Sequence, residues 1–342
     1  MRYKLLGRSG LRVSELALGT MTFGEDWGWG ADKPASRRIF DAFVEAGGNF
    51  IDTSNNYTNG TSERYVGEFI ADARDQFVVA TKYTLRQANG NARNLNEGGN
   101  SRKSMMRSVE NSLRRLNTEY IDLLYLHMWD FMTPVEEVMR GMDDLVRAGK
   151  VLYVGFSDTP AWVVAYAVRL AEQYGWARPV AAQLPYNFAD RDAERDVLPM
   201  ARTLGLTVAA WGLLGGGALT GKYNAATGEP KRYDGVSDRA KSLAAGLGAF
   251  AGEIGRSPAQ AAINWARRQP GVVPIVGART PAQIADNLGA LDFTLTDEQA
   301  TRLGGLNEFR PGFPLGFLTS DDIRELIFGE SFAQIDHPGS VV

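Results

Sequence analysis

Eight short apolar runs, each followed by a stretch with helical periodicity, occupy most of the chain and constrain its fold more than any other feature. The strand-like runs fall at residues 15–19, 49–52, 77–82, 121–127, 151–157, 179–184, 207–211 and 272–276. Helices are expected over 34–46, 62–72, 102–116, 134–148, 160–174, 193–204, 258–268 and 281–291. Asp32 suits the first N-cap, Gly47 and Gly48 close that helix, and Ser62 and Glu63 suit the first turn of the second. Parallel strands need a crossover between them, and an intervening helix supplies it. Eight such units predict a closed (β/α)8 TIM barrel rather than an open doubly wound sheet. Two Rossmann-like halves are the alternative, but no G-x-G-x-x-G follows the first strand.

A hairpin is expected at the start, with strands at 3–6 and 11–14 around a turn at 7–10, and a C-terminal extension follows the barrel. No Pro/Ser-rich linker interrupts the 342 residues, so one domain over 1–342 is expected. The stretch after the Gly-rich loop near 212–222 reads as irregular up to 257. The Asn- and Gly-rich insert at 84–100 reads as a mobile loop and a candidate lid; the tail 313–342 is a second candidate lid, with surface decoration as its alternative.

Composition narrows the function. Apolar residues make up 44% and the net charge is −3, which allows a core and leaves no basic surface suited to nucleic acid. The lack of cysteine excludes disulfides and thiolate chemistry, and two histidines, one of them in the C-terminal tail, make a poor zinc ligand set. No run approaches the roughly 18 apolar residues of a membrane span. Residues 1–8 lack the apolar stretch of a signal peptide. A cytoplasmic protein with no nucleic-acid or membrane partner is expected; monomer and homo-oligomer both stay open.

In a barrel the strand C-termini share one face, where chemistry sits. Three successive strand-like runs end in Asp52, Lys82 and His127, and Tyr57 lies five residues past Asp52. Each has a plain structural reading: a turn cap, a solvated lysine, a satisfied buried histidine. Together they can share a proton with a bound carbonyl or alcohol. A phenol has an ordinary pKa of about 10, and a neighbouring ammonium is expected to lower it. Asp52 would hold Lys82 charged and oriented, and His127 could donate to a substrate oxygen or relay a proton. Tyr57 is then a general acid for carbonyl reduction and a general base in reverse. No residue here can carry a hydride, so a redox reading needs a carrier such as nicotinamide.

At these residues the chain resembles the aldo-keto reductase superfamily over nearly its whole length. Gly47-Gly48-Asn49-Phe50-Ile51-Asp52-Thr53, Tyr57, Glu63 and Gly67 match its first signature. Ser108, Ser112-Leu113-Arg114-Arg115-Leu116, Tyr120-Ile121-Asp122-Leu123 and His127 match its second. The resemblance implies an NADP(H)-dependent enzyme in which Tyr57 donates the proton, Lys82 and Asp52 tune it and His127 orients the carbonyl. It also implies cofactor contacts from Gly19 and Thr20. Ser157, Asp158 and Gln183 would hold the nicotinamide carboxamide, and Trp211 would stack on its ring. Many relatives have Asn at the position of Asp158; an aspartate can accept from the amide but not donate to it.

Gly216 to Lys222 imitates a P-loop, yet Tyr223 replaces the Ser/Thr that would hold magnesium. The resemblance instead implies that this loop wraps a pyrophosphate, with Gly212, Leu213, Gly215 and Lys222 as contacts, glycines letting backbone N–H groups come close. Gly277, Arg279, Gln283, Asp286 and Asn287 resemble the adenosine-phosphate segment, where a helix N-terminus favours anions. Arg279 would grip a 2′-phosphate with help from Gln283, and Asp286 and Asn287 would bind adenine. Some relatives carry Lys and Arg where this chain has Gly277 and Gln283, which keeps NAD(H) as the alternative.

Phe23, Trp27 and Trp29 in the first βα loop, with Trp129 and Phe131 after His127, are candidates for the pocket wall. They suggest bulky aromatic or alicyclic carbonyls or secondary alcohols as substrates. The run Ser157-Asp158-Thr159-Pro160-Ala161-Trp162 looks most like the aryl-alcohol-dehydrogenase-like bacterial branch. The rival class is a nucleotide-binding regulatory or redox-sensing subunit, since potassium-channel β subunits resemble the same family. A metal-dependent barrel isomerase or hydrolase is weaker, because its ligands are missing.

Overall fold

The computed structural model describes residues 1–87, 90, 93–224 and 235–335. An antiparallel hairpin, β1 (Tyr3–Leu5) and β2 (Arg12–Ser14), opens the chain. Eight parallel strands follow: β3 (Ala17–Gly19), β4 (Phe50–Asp52), β5 (Val78–Tyr83), β6 (Ile121–Leu126), β7 (Val151–Ser157), β8 (Pro179–Pro185), β9 (Thr207–Trp211) and β10 (Val272–Gly277). Each pairs with its neighbours in sequence, and β10 returns to β3 with Gly277 opposite Gly19, which closes a (β/α)8 barrel. Strands β5 and β6 are buried at every position, as parallel strands covered on both faces must be.

The surrounding helices are α1 (Lys33–Glu45), α2 (Thr61–Ile70), α3 (Arg102–Leu116), α4 (Val135–Arg147), α5 (Ala161–Tyr174), α6 (Val197–Leu204), α7 (Asp238–Glu253), α8 (Pro258–Arg267), α9 (Pro281–Leu288) and α10 (Asp297–Gly305). Two short tail helices follow, α11 (Leu315–Leu318) and α12 (Asp321–Phe328). Their starts are set by local chemistry. Asp32 accepts from the Ala35 amide at the head of α1, 2.7 Å away, and Ser257 and Gln260 form a reciprocal cap on α8. None of the described helices is long and apolar enough to cross a membrane.

Two cores result. A large one lies between strands and helices; a smaller one fills the barrel with Ala17, Phe50, Val78, Leu123 and Val273 among others. The hairpin adds Leu6 and Val13 to the inner core, both fully buried, and so plugs the N-terminal mouth. Each such burial is worth about 1.5–3 kcal/mol. Gly7 makes the fit: its φ is +55°, its N–H donates to Thr207 Oγ1 at 2.8 Å, and a Cβ there would lie 2.2 Å from the Val180 carbonyl oxygen. The plug leaves the C-terminal mouth for the site.

The main departures from expectation lie in the second half of the chain. The stretch that reads as irregular contains α7, capped by Ser237 and docked through Leu243, Leu247 and Phe250. Gly246, Gly248 and Gly252 dilute its helical signal, since each lowers helix propensity by about 1 kcal/mol against alanine. The helix expected over 193–204 is broken: a 3-10 turn at Asp192–Glu194 precedes α6. α2 gives way to a 3-10 turn at Ala71–Gln76, and α9 to one at Gly289–Leu291. The tail expectation extends past residue 335 and there lies outside the described residues, as does the middle of the 84–100 insert.

Candidate active site

The strand register brings the expected polar groups together. Asp52 closes β4, Lys82 lies near the end of β5 and His127 follows β6, its amide donating to the Tyr83 carbonyl at 3.2 Å. Lys82 is fully buried, and its Nζ donates to Asp52 Oδ1 (2.6 Å), to the Thr53 carbonyl (2.8 Å) and to Tyr57 Oη (3.2 Å). Tyr57 begins a 3-10 turn, and its ring meets the His127 ring edge-on with centroids 6.0 Å apart. Burial alone opposes a charged lysine, but the Asp52 carboxylate and then Tyr57 outweigh it and raise the Lys82 pKa. The ammonium therefore persists at neutral pH.

The phenol behaves differently from expectation. Enclosure of the Tyr57 hydroxyl raises its pKa, and the downward pull of Lys82 does not offset that. Tyr57 thus stays protonated, poised as a donor rather than as a phenolate. Burial and then the Lys82 charge push the His127 imidazole well below its ordinary pKa, so it is neutral. Its Nδ1 lies 3.1 Å from Ser54 Oγ.

Supporting residues lie around this centre. Glu63, fully buried on α2, accepts from Thr81 Oγ1 and Arg115 Nε, both at 2.6 Å, tying α2 to β5 and α3. Five of the six described non-glycine residues with positive φ sit in the loops at this mouth: Thr58, Asn59, Thr84, Phe131 and Asp158. Thr84 is the costliest, at +102° for a β-branched residue. It is held by Asn100, whose Nδ2 donates to Thr84 Oγ1 at 2.9 Å, and Asn100 in turn exchanges hydrogen bonds with Asp130. The ends of the 84–100 insert are thereby clasped to the loop after His127. Sequence reasoning missed this clasp and Ser54; the Ser-Asn-Asn run between Asp52 and Tyr57 was the available signal for the latter.

The expected cofactor residues divide into two groups. At the ends of β7, β8 and β9, Ser157, Asp158, Gln183 and Trp211 converge. Trp211 is 40% exposed and its Nε1 donates to Asp158 Oδ1 at 3.2 Å. Ser157 Oγ is buried with no hydrogen-bond partner among the described residues, which suits it to a ligand. Gln183 Nε2 donates to Asp52 Oδ2 at 2.8 Å, so this amide links the end of β8 to the Asp52–Lys82–Tyr57 group. Burial raises the Asp158 pKa to about 6 against the pull of Trp211 and Lys82. Next to it, the loop from Gly212 to Gly221 has positive φ at Gly212, Gly215, Gly216, Gly217 and Gly221, and a Cβ on Gly212 would meet nothing. This exposed aromatic, unpaired hydroxyl and bare backbone fit a nicotinamide nucleotide.

Other expected contacts are committed within the protein. Thr20 is fully buried, its hydroxyl bonded to the Asp52 carbonyl and to Ser62 Oγ, and Gly19 packs against Ile275. Leu213 is buried, so only its backbone is available, and Lys222 lies 5.6 Å over the Tyr223 ring. Thr280 caps α9, and Gln283 Oε1 accepts from the Arg279 amide at 2.8 Å, next to exposed Gly277. Asp286 accepts from Ser257 and Gln260 at the head of α8, and Asn287 donates to the Gly277 carbonyl. Arg279 remains half-exposed at that helix start.

The aromatic wall is corrected in one place. Phe23 is fully buried and packs edge-on to Phe69 in the core, so it cannot line a pocket. Trp27 lies tilted against Trp29 with ring centroids 5.6 Å apart and meets Tyr57 edge-on at 6.5 Å. Trp129 is half-buried with its amide on the Asp158 carbonyl, and Phe131 is 74% exposed.

A closed (β/α)8 barrel with a Lys-bridged Asp–Tyr pair and a neutral histidine at its C-terminal mouth defines an oxidoreductase class of barrel. The aldo/keto reductase family model matches residues 15–308, and the chain belongs to that family. It is 39% identical to norsolorinic acid reductase of Aspergillus flavus over 92% of this chain and 83% of that one. It is 42% identical to norsolorinic acid reductase stcV of Emericella nidulans, over 91% and 82%. With an aryl-alcohol dehydrogenase [NADP(+)] of Phanerodontia chrysosporium it shares 41%, over 89% and 85%. The aryl-alcohol-dehydrogenase kinship of the expectation stands; its bacterial attribution does not, since these relatives are fungal.

Proposed function

We propose that the chain is an NADP(H)-dependent reductase of bulky aromatic or alicyclic aldehydes and ketones, acting reversibly, with Tyr57 as proton donor. The observation that carries this is the buried Lys82 bridge from Asp52 to a Tyr57 hydroxyl that remains protonated. A bound nicotinamide supplies the hydride. Tyr57 gives its proton to the developing alkoxide oxygen, and the Lys82 ammonium stabilises the phenolate left behind. Asp52 and the Thr53 carbonyl keep that ammonium pointed at the phenol. Asp158, Ser157 and Trp211 hold and orient the nicotinamide end, and Arg279 at the start of α9 favours a 2′-phosphate. Trp27, Trp29 and Trp129 favour a flat apolar substrate. The named activities of the relatives above, on an aryl alcohol with NADP(+) and on norsolorinic acid, support the same substrate class.

The test follows NADPH oxidation by absorbance with a panel of aromatic aldehydes and cyclic ketones. Turnover on several of them is expected. Tight nucleotide binding with no turnover on any carbonyl or alcohol would instead favour a regulatory, nucleotide-sensing subunit.

A further inference from the structure

His127 has two ring nitrogens, and only one can meet the substrate oxygen. Nδ1 is taken by Ser54 Oγ at 3.1 Å, so Nε2 is left for a ligand, and no described residue bonds it. Burial beside Lys82 keeps the ring neutral, so it carries one proton and must be a donor at one nitrogen and an acceptor at the other. Which is which depends on the hydrogen bond at Nδ1.

Ser54 has one proton to give. Its Oγ donates to Asn56 Oδ1 at 2.8 Å, with Asn55 Oδ1 a weaker acceptor at 3.4 Å. In this arrangement Ser54 can only accept from His127, so Nδ1 carries the ring proton and Nε2 is bare. A bare Nε2 receives an alcohol O–H but repels a carbonyl oxygen. If the Asn56 amide turns, its nitrogen donates to Ser54 and the Ser54 O–H points at Nδ1; the ring then gives up its Nδ1 proton to solvent and takes one from solvent at Nε2, so that Nε2–H faces the substrate. Asn55 cannot make that turn freely, because its Nδ2 is held by the Leu85 carbonyl at 3.0 Å. Asn56 is only half-buried and has no such tie.

We propose that Ser54 and Asn56 are positioning residues that set the tautomer of His127, the Asn56 amide deciding whether Nε2 meets the substrate oxygen as donor or as acceptor. This deepens the reductase reading and rests on it. An asparagine at this point serves both directions, since it can offer either its oxygen or its nitrogen to Ser54.

The experiment is long-range nitrogen-15 correlation NMR on the full-length chain at neutral pH, where the two nitrogens of a neutral imidazole resonate far apart. The chain has only two histidines, and comparison with His337→Gln assigns His127. The unliganded protein is expected to show the Nδ1–H form. Asn56→Asp, which can only accept, should keep that form in every state, and Asn56→Ala should release the Ser54 proton and give Nε2–H. Ser54→Ala should average the two forms, and Ser54→Thr should restore the parent pattern. In Asn56→Asp, kcat for carbonyl reduction should fall about tenfold or more with nucleotide Kd within about twofold, as for loss of one donor to a developing oxyanion. One unchanged tautomer across the parent, Asn56→Ala and Asn56→Asp would overturn the proposal. Tautomers that respond without any carbonyl turnover would sink the reductase reading and leave the relay standing. Turnover with an unresponsive tautomer would do the reverse.

Discussion

The two halves of the barrel mouth are built by opposite means. On the β4–β6 side, Asp52, Lys82 and Tyr57 bind one another side chain to side chain at 2.6 and 3.2 Å, with Asp52 and Lys82 buried and Tyr57 half-buried. On the β9–β10 side, the candidate nucleotide contacts are mostly backbone: a run of positive-φ glycines after Trp211 and the capped start of α9. The first half depends on mutual pairing in low dielectric, so removal of any one member leaves the others in the wrong state. The second depends on chain geometry, so single side chains matter less, with Arg279 and Asp158 the exceptions. Substitutions should therefore be expensive on one side and mild on the other.

The largest effect belongs to Tyr57→Phe. Loss of the proposed proton donor should reduce kcat about 10²–10⁴-fold. Nucleotide affinity, followed by fluorescence quenching, should stay within about twofold, because the phenol bonds Lys82 and lies outside the glycine loop. A comparable loss of nucleotide affinity would erase the distinction between the halves. Lys82→Met comes next. It strands the buried Asp52 carboxylate with Gln183 as its one remaining side-chain partner among the described residues, and a broken buried pair costs about 3–5 kcal/mol. Urea unfolding should show that loss as a lower midpoint with an unchanged slope. A midpoint within experimental error of the parent would mean that the pair contributes nothing to the fold.

The β4–β6 half was the legible one, for a physical reason. A polar residue at the end of an apolar run in a barrel has one place to go, and Asp52, Lys82 and His127 went there. What that logic omits is burial, which is a property of the assembled site: it holds Tyr57 protonated where proximity to an ammonium alone suggested an acidic phenol. The β9–β10 half was read from motif positions, and these do not reveal that Asp286 caps α8 and Asn287 ties down Gly277. Phe23 differs from expectation because a loop aromatic can face in or out, and here it packs inward against Phe69. Helix α7 escaped because glycine weakens local propensity while tertiary docking of Leu247 and Phe250 restores the helix.

Asp158 stands on the seam between the halves and gives the third effect. Its carboxyl is pushed up to about 6 from 3.8, chiefly by burial. The folded chain thus keeps a proton that the unfolded chain has released between those values. Stability should fall as pH rises from about 4 to 6 and stay lower above, by about 3 kcal/mol at most. Asp158→Asn removes that slope, so its denaturation midpoint should match the parent below about pH 4 and exceed it above pH 6. Identical pH profiles would show that Asp158 titrates as an ordinary surface acid.

The smallest effect tests the loop half directly. Arg279 is half-exposed at the start of α9, so the proposed hold on a 2′-phosphate would be screened by water and shared with the helix N-terminus. One charge-assisted contact of this kind is worth roughly 1.5 kcal/mol, about tenfold in affinity. Arg279→Ala should raise the Kd for NADPH by that factor and leave NADH within about twofold, as measured by titration calorimetry at low salt. The NADPH penalty should shrink as salt rises, because a partly exposed ion pair is screened while a buried one is not. Equal losses for both nucleotides would remove the 2′-phosphate from Arg279 and leave the backbone loop and α9 as the whole of the nucleotide grip.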